Sequence, residues 1–407
     1  MTAKSQNNEL LIGFDAPSQN DSKINWTGWM IRPGGKRHIV CMEFDFPDDA
    51  VFQPSVHPWL LAFIMAGMRL GLAVRVPYPV DSVLLNNLME FQEVWACWSK
   101  DRLNVVPIRV EECVTAFSGN DLAREGAITA FSGGVDSCFT CVRHTKQNTN
   151  GYRSIPLKAG LMVHGFDIPL ADANDYHGAL ERSRRILTSH GLQCLSMKTE
   201  LRKLCGILDM GYSEETHGAF LAACLMCYEN VFSMAVIPST YTYTSLRLPW
   251  GSTPITDELL GTRQMPVVHD GAAYNKFQKV EWFGDNASIA ESLRVCWEGH
   301  RFDRNCGKCF KCVATQVCFW LCGVSAPPCF PVICSLAEVE LMHLASDQNK
   351  NLFAYMAAEA EIRGSTEIHT VLVRCLERNN APVRADRVRW LRQRWLRLGR
   401  RVMPSRW

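Results

Sequence analysis

The sequence predicts an α/β protein in which a parallel sheet forms the middle domain, an α+β domain precedes it and helices follow it. Three observations lead to this prediction. Between residues 127 and 197 apolar strand-like segments alternate with helical segments, a pattern that indicates right-handed crossovers between parallel strands. A glycine-rich turn, 132–137, joins the first of these strands to a helix. Beyond residue 331 the chain has a helical pattern.

The first domain is expected over residues 1–120. Residues 1–20 are polar and are expected to be mobile. The turn Pro33–Lys36 separates two apolar segments and predicts a hairpin. The elements expected in this domain are strands at 26–32, 38–46, 72–76 and 103–110 and helices at 58–69 and 82–99.

The middle domain is expected over 121–330 and the helical, basic C-terminal region over 331–407. The segment His217 to Ile237 is apolar nearly all round, which predicts one buried helix. The remaining elements expected in the middle domain are strands at 127–131, 159–164, 193–197 and 240–244 and helices at 138–144 and 172–190.

Composition excludes a disordered or fibrous chain. Of the 407 residues, 47% are apolar and 21% are charged, which is enough apolar surface for two or three domains. The net charge of +2 conceals an uneven distribution. Residues 384–407 contain nine arginines and one acid, a balance of +8, so the rest of the chain carries −6.

The basic tail has one apolar face, formed by Val388, Leu391, Trp395 and Leu398. A basic amphipathic helix is able to meet nucleic acid, a membrane or an acidic partner. The commoner outcome is docking on the acidic remainder of the same molecule or on a second subunit. We therefore expect no membrane binding, and nucleic acid and a homodimer remain open.

The 18 cysteines are the most unusual feature of the composition. Residues 1–18 lack the apolar segment of a secretory signal, so a reducing, cytoplasmic location is expected. The longest uncharged run, 317–337, contains three prolines and is too broken to span a bilayer.

The turn Ser132-Gly133-Gly134-Val135-Asp136-Ser137 has the layout of an anion site. It lies between an apolar strand and a helix, where backbone N–H groups and the helix N-terminus attract negative charge. The two glycines let phosphate oxygens approach the main chain. Asp136 is able to cap the helix or to hold Mg²⁺. The turn lacks the Gly-Lys-Ser/Thr ending of a Walker A loop.

This turn resembles the SGGxDS signature of the PP-loop ATP pyrophosphatases, which have a HUP-like fold. The resemblance implies that the loop, residues 132–137, binds the pyrophosphate of ATP, with Asp136 near Mg²⁺. It further implies that adenosine lies at the end of the next strand, Met162 to His164. Lys276 and Lys279 stand where such enzymes often place a phosphate-binding lysine. For His164 an ordinary strand-end role is an equal alternative, and an isolated lysine is commonly solvated.

Four cysteines, Cys296, Cys306, Cys309 and Cys312, follow the spacing C-x9-C-x2-C-x2-C. Four thiolates complete a tetrahedral Zn²⁺ site with no open position, so a structural zinc site is expected. Gly307 supplies the turn of this knuckle. An iron–sulfur cluster also takes four thiolates and is equally compatible with the spacing. Cys318 and Cys322 are expected to face the core.

The loop and the cysteines together resemble the QueC family of 7-cyano-7-deazaguanine synthases over residues 125–325. The additions at both ends, and the segment 250–257 in place of a glycine/tyrosine/aspartate-rich one, depart from ordinary QueC. The longer layout is similar to QueC-like proteins of anti-phage operons, such as the C component of the Qat system and the QueC-like member of some CBASS operons. The resemblance implies a deazaguanine substrate and, as acceptor, a protein partner from the same operon.

The implied reaction is AMP-forming ligation. The carboxylate of 7-carboxy-7-deazaguanine attacks the α-phosphate of ATP, and an amine then displaces AMP. The acceptor is a protein N-terminus or, in ordinary nitrile synthesis, ammonia. Asp257 is the candidate base, with a helix N-cap as its alternative. Two rival hypotheses stay open: a tRNA-modifying enzyme with an iron–sulfur cluster, and a non-catalytic nucleotide sensor.

Overall fold

A single sheet of eleven strands runs through the residues that the computed structural model describes, 8–20, 22–115, 125–145 and 154–380. The strands are β1 Glu9–Phe14, β2 Ser18–Asn20, β3 Lys23–Ile31, β4 Arg37–Asp45, β5 Ala73–Asp81, β6 Ile108–Val114, β7 Ala127–Ala130, β8 Leu157–His164, β9 Gln193–Thr199, β10 Met234–Pro238 and β11 Val267–Asp270. The helices are α1 His57–Leu70, α2 Ser82–Trp98, α3 Val135–Thr145, α4 Ala173–Ser189, α5 Lys203–Leu208, α6 His217–Met226, α7 Lys276–Phe283, α8 Ala287–Ser292, α9 Phe310–Leu321, α10 Leu336–Glu340, α11 Asp347–Ile362 and α12 Thr366–Arg378. The predicted α/β class with a mostly parallel sheet is confirmed.

The parallel half of the sheet has the strand order β11-β10-β7-β8-β9. The chain leaves β7 for β8 and β9 on one side, and then returns to place β10 and β11 on the other side. The order therefore reverses at β7. In open α/β sheets, ligands bind outside the carboxyl ends of the strands at such a switch point, and the glycine-rich turn follows β7 directly.

The sheet continues into the N-terminal segment because β4 pairs with β9 in antiparallel register, with Met42 opposite Thr199. Beyond β4 the order is β3-β1-β5-β6. Helices α1 and α6 pack against each other in the shared apolar core. The domain boundaries at 120 and 330 stay a prediction, and residues on both sides of 120 contribute strands to this one sheet.

A buried hydrogen-bonded pair, His57 and Glu229, also joins the two halves. His57, at the start of α1, lies with its Nδ1 2.9 Å from Oε2 of Glu229, and Ser55 donates to the same carboxylate. The other ring nitrogen of His57 accepts the Asp81 N–H at 3.1 Å. Both side chains of the pair are less than one-tenth exposed, so the N-terminal segment is bound firmly to the middle of the chain.

The expectation of a mobile N-terminus is wrong for residues 9–14. Leu10 and Ile12 are fully buried on one face of β1, which pairs with β3 on one side and with β5 on the other. The polar residues around this short strand hide its alternating pattern. A central position in the sheet overrides the polar composition of its neighbours.

The single helix predicted over 217–237 is wrong in its second half. Helix α6 ends at Met226, a turn region follows, and strand β10 begins only at Met234. A short, uniformly apolar run has no periodicity that separates a buried helix from a buried strand. The strand predicted at 240–244 is instead a loop, and the strand predicted at 103–110 lies at 108–114.

The predicted helical C-terminal region is confirmed over the described residues by α10, α11 and α12. The arginine-rich segment 384–407 and its apolar face lie outside the described residues. Among the described helices, none is long and apolar enough to cross a membrane.

Candidate functional site

The glycine-rich turn forms a tight connection between β7 and α3. Gly133 has a φ of +73°, a left-handed conformation that favours glycine. A side chain at this position would also come within 3.2 Å of the Ser183 hydroxyl. Ser137 closes the first turn of the helix by donating to the Gly134 carbonyl at 3.2 Å. The turn thus presents backbone N–H groups at the N-terminus of an eleven-residue helix.

This turn opens into a cavity of about 1010 Å³. Ligand sites commonly measure roughly 300–1,000 Å³, so the cavity has room for a nucleotide and a second reactant. The carboxyl ends of β7, β8 and β10 form its floor through Phe131, Met162 and Pro238. The cavity therefore occupies the switch point of the sheet.

Seven of the nine residues predicted to bind ATP line this cavity: Ser132, Gly134, Val135, Asp136, Ser137, Met162 and Lys276. Gly133 and His164 are not among the described lining residues. His164 lies with its Nε2 2.9 Å from the Pro169 carbonyl and stacks on Tyr176 at 4.3 Å. Its placement matches the strand-end alternative. Desolvation lowers the pKa of His164.

The two candidate lysines have different surroundings. Lys276 lines the cavity, whereas Lys279 is only 1% exposed. The Lys279 ammonium lies 2.6 Å from Oδ1 of Asp136 and also donates to the Ser239 carbonyl. Asp136 keeps about a third of its side chain exposed. One carboxylate oxygen is therefore held by a buried cation while the side chain faces the cavity.

A buried ionic network fixes the far side of α3. Asp270, at the end of β11, accepts from the Thr140 hydroxyl at 2.8 Å and from Arg143 at 2.6 Å, with His144 at 3.3 Å. Burial alone raises the pKa of Asp270, but His144 and Arg143 outweigh burial and hold it below its usual value of 3.8. The network locks the helix that follows the glycine-rich turn.

Replacing Asp270 by asparagine is expected to lower the free energy of unfolding by about 3–5 kcal/mol at pH 7, because Arg143 stays buried without its partner. A lowered carboxyl pKa stabilises the fold above about pH 4, and this contribution is lost as the pH falls through the folded-state value. Urea unfolding of both proteins between pH 7 and pH 3 measures the difference. It should shrink below about pH 4, and a difference independent of pH would contradict this role.

The four cysteines converge as predicted. Their sulfurs all lie within 4.8 Å of one another, and the pairs Cys306–Cys312 and Cys296–Cys309 are 3.8 Å apart. A Zn–S bond of about 2.3 Å in a tetrahedron implies sulfur separations of about 3.8 Å. The cluster therefore fits one tetrahedral metal ion such as zinc.

The backbone supports this cluster. Gly307 has a φ of +79° and makes the predicted turn of the knuckle. The N–H groups of Lys308 and Cys309 point at the Cys306 sulfur, at 3.4 and 3.3 Å. Such bonds stabilise a thiolate that ligates a metal. Cys318 is buried in the core, as predicted, and Cys322 is half-buried and packs against the same core.

The cysteine cluster is linked to the glycine-rich turn through Arg294. The Arg294 N–H donates to the Gly133 carbonyl at 2.9 Å, and its guanidinium donates to the Ser132 carbonyl at 3.2 Å. Two residues later, Cys296 enters the cluster. The buried side chain of Asn305 accepts the N–H groups of Val295 and Cys296, at 2.8 and 3.2 Å. The fold of the cysteine cluster therefore constrains the position of the glycine-rich turn.

Lysines give the cavity positive charge near the turn. Lys276 and Lys311 line it from different helices, α7 and α9. The Lys311 ammonium lies 4.8 Å from the centre of the Trp297 ring, a cation–π contact. Desolvation lowers the pKa of Lys311, and the charge of Lys276 lowers it further. Two cations that repel each other across a cavity favour an anionic ligand between them.

The predicted base Asp257 does not line the cavity. It is fully buried at the start of a 3₁₀ turn, Asp257–Leu260. Its carboxylate accepts from the Ser252 hydroxyl at 2.6 Å and the Thr253 N–H at 3.2 Å, and lies 2.8 Å from Nδ1 of His269. Ser252 does line the cavity. The N-cap of this turn is Thr256, so the N-cap alternative for Asp257 is wrong.

Sequence reasoning missed the aromatic wall of the cavity. Tyr212, His217, Tyr241 and Trp250 line it together, with Arg247 stacked 4.5 Å from the centre of the Trp250 ring. The rings of His217 and Trp250 meet edge to face at 5.6 Å. A π-helical turn, Tyr212–Thr216, precedes His217, and such turns are frequent at functional sites. No local motif marks these residues, because they come from separate segments.

The C-terminal helices supply a further wall that the sequence did not reveal. Residues between His343 and Tyr355, including Ser346 and Asn349, line the cavity. The amide of Gln278 donates to the Tyr355 hydroxyl at 3.1 Å and connects this wall to α7. The helical region after residue 331 is thus part of the site.

Comparison with known proteins identifies no relative. No family model, no curated protein and no solved structure matches this chain. The functional interpretation therefore rests on the geometry of the cavity and of the cysteine cluster.

Proposed function

We propose that the chain is an ATP-dependent, AMP-forming ligase that adenylates the carboxylate of 7-carboxy-7-deazaguanine and transfers the acyl group to an amine. One observation carries the proposal: the turn Ser132–Ser137 stands at the switch point of the sheet and opens into a cavity of about 1010 Å³. Such a position binds nucleotides in many α/β proteins. The cavity's volume suits two reactants.

The residues near the turn suit phosphoryl chemistry. The substrate carboxylate attacks the α-phosphorus of ATP, and the bond to the departing pyrophosphate breaks. Backbone N–H groups of the turn, together with Lys276 and Lys311, stabilise the charge on the leaving group. Asp136 has an oxygen available to hold Mg²⁺, which would neutralise further phosphate charge. The product is an acyl adenylate and pyrophosphate.

The second half of the reaction forms an amide. The amine nitrogen attacks the acyl carbon, the bond to the AMP oxygen breaks, and the amine loses a proton. We propose that the amine is the N-terminus of a partner protein from the same operon in anti-phage defence. Transfer to ammonia, as in nitrile synthesis, is the rival reaction, and the two acceptors give products of different mass.

The cysteine cluster supports a structural zinc site within this enzyme. Its four sulfurs lie within 4.8 Å of one another, whereas thiolates bound to different irons of a cluster stand farther apart. The iron–sulfur version of a tRNA-modifying enzyme is therefore less well supported. Four thiolates leave no open position on zinc, so the ion would hold the fold of 296–312 rather than react.

Exchange of labelled pyrophosphate into ATP tests the proposal. Exchange should require 7-carboxy-7-deazaguanine and should be absent with 7-deazaguanine, which lacks the carboxylate. ATP turnover that ignores the acid, or no exchange at all, would overturn the ligase assignment.

Intact-mass measurement of the co-encoded proteins, expressed together with this chain, identifies the acceptor. A gain equal to a deazaguanine amide on one of them supports transfer to protein. Unmodified proteins together with free nitrile or amide product would support ammonia as the acceptor.

A further inference from the structure

His217 combines exposure to the cavity with a defined orientation. Its ring lines the aromatic wall. Among the described residues, no carboxylate forms an ion pair with it. Its Nδ1 is buried and makes no well-aligned hydrogen bond, although the Ser213 and Tyr212 carbonyls lie beside the ring. Those carbonyls favour the proton on Nδ1. The lone pair of the neutral ring is then on Nε2, the nitrogen left to face the cavity.

Close backbone packing holds the ring in this position. The Gly218 N–H donates to the Gly251 carbonyl at 3.0 Å, and the Gly251 N–H donates to Ser213 at 3.1 Å. A side-chain carbon on Gly251 would lie 2.5 Å from the His217 Nδ1. The absence of that carbon lets the segment with Trp250 and Ser252 lie directly against the start of α6.

The charged and titratable groups that surround His217 set its protonation. Desolvation lowers the pKa of its imidazole, and the carboxylates of Asp257 and Asp167 raise it by less. Burial raises the pKa of the neighbouring Tyr212 phenol, so that group stays neutral. Glu214 lines the same cavity, and Arg247 lies beyond Trp250. The net result is a neutral imidazole at pH 7.

We propose that His217 is the base that accepts the amine proton in the transfer step, a role that rests on the proposed function. The C–N bond forms, the bond from the acyl carbon to the AMP oxygen breaks, and the proton moves from the amine nitrogen to Nε2 and then to water. Asp257 is a positioning residue that lies outside the cavity lining. Its carboxylate raises the pKa of His217 and accepts a hydrogen bond from Ser252, which lines the cavity.

The test separates the two half-reactions. His217→Gln should keep acid-dependent pyrophosphate exchange near the wild-type rate, because adenylation of a carboxylate requires no proton transfer from an amine. Amide formation from ammonium chloride or a glycyl peptide should fall by about 10²–10⁴-fold. Hydroxylamine, which is neutral at pH 7, should trap the adenylate in both proteins. The control is His177→Gln, an exposed histidine on α4 outside the cavity wall.

The pH profile of transfer adds a second readout. The wild-type rate should fall in acid as the imidazole takes up a proton, at a pH below the ordinary histidine range because desolvation lowers the pKa of His217, and His217→Gln should lose this acid limb. Asp257→Asn should move the limb to lower pH, because a carboxylate that raises the pKa is removed. Transfer at the wild-type rate in His217→Gln, or equal loss of exchange and transfer, would overturn the proposal. Absence of exchange in the wild type would instead refute the ligase assignment.

Discussion

Replacing Asp136 by asparagine is expected to reduce acid-dependent pyrophosphate exchange by at least about 10²-fold. The change keeps the shape of the side chain but removes the charge that faces the cavity. It also leaves the ammonium of Lys279, 2.6 Å away and only 1% exposed, without its counter-charge. Stability should therefore fall along with activity.

The loss of stability should be moderate. Removing one partner of a fully buried pair costs about 3–5 kcal/mol. Asp136 is about a third exposed, so solvent screens part of the interaction, and we expect about 1–3 kcal/mol. Urea unfolding measures the loss in free energy of unfolding, and pyrophosphate exchange measures the loss of catalytic activity.

A double variant separates the two effects. Asp136→Asn with Lys279→Met removes both charges and should recover most of the lost stability, because no unpaired cation remains. Its exchange activity should stay as low as that of the single variant. The control is Asp101→Asn, an exposed acid after α2. Recovery of activity in the double variant would show that Asp136 serves only to neutralise Lys279.

Disrupting the cysteine cluster is expected to have the largest effect on stability. Cys309→Ser should lose the metal and lower the free energy of unfolding by more than about 4 kcal/mol, the range that follows loss of a structural metal. The wild type should release one equivalent of zinc when its thiols are titrated with a mercurial in the presence of a zinc-sensitive dye. A brown protein that contains iron would contradict the zinc assignment.

The consequences should extend to the glycine-rich turn. Arg294 bonds to Gly133 and Ser132 two residues before Cys296 enters the cluster. Loss of the metal should therefore weaken ATP binding as well as stability, and calorimetric titration at low temperature measures this affinity on protein that is still folded. Cys322→Ser is the matched control, because its half-buried sulfur lies at the opposite end of α9 from the cluster. Unchanged ATP affinity in folded, metal-free protein would contradict the coupling.

Local signals predicted both chemical centres because each is short in sequence. The turn Ser132–Ser137 contains its own glycines and adjoins its own strand and helix, so its geometry depends on few distant residues. The cysteines of 306–312 are likewise close in the chain, and only Cys296 comes from farther away. The structure brings the four sulfurs together within 4.8 Å.

Several secondary-structure predictions were wrong where burial in the fold, rather than the local sequence pattern, determines the element. The strand Glu9–Phe14 lies in a polar stretch, yet its position between β3 and β5 buries Leu10 and Ile12. The run from 217 to 237 is apolar throughout, so periodicity does not show where helix α6 gives way to β10. In both cases the neighbours in the fold determine the element.

The sequence by itself determined the α/β class, the position of the glycine-rich turn between a strand and a helix, and the four cysteines that could hold a metal ion, because local geometry and ligand chemistry are encoded within a few residues. Only the tertiary structure decided which of the candidate side chains face the cavity. In the fold, His164 contacts the Pro169 carbonyl and Asp257 is buried, whereas His217 and Trp250 line the cavity. Such placement depends on contacts between segments far apart in the chain, and no local pattern records them.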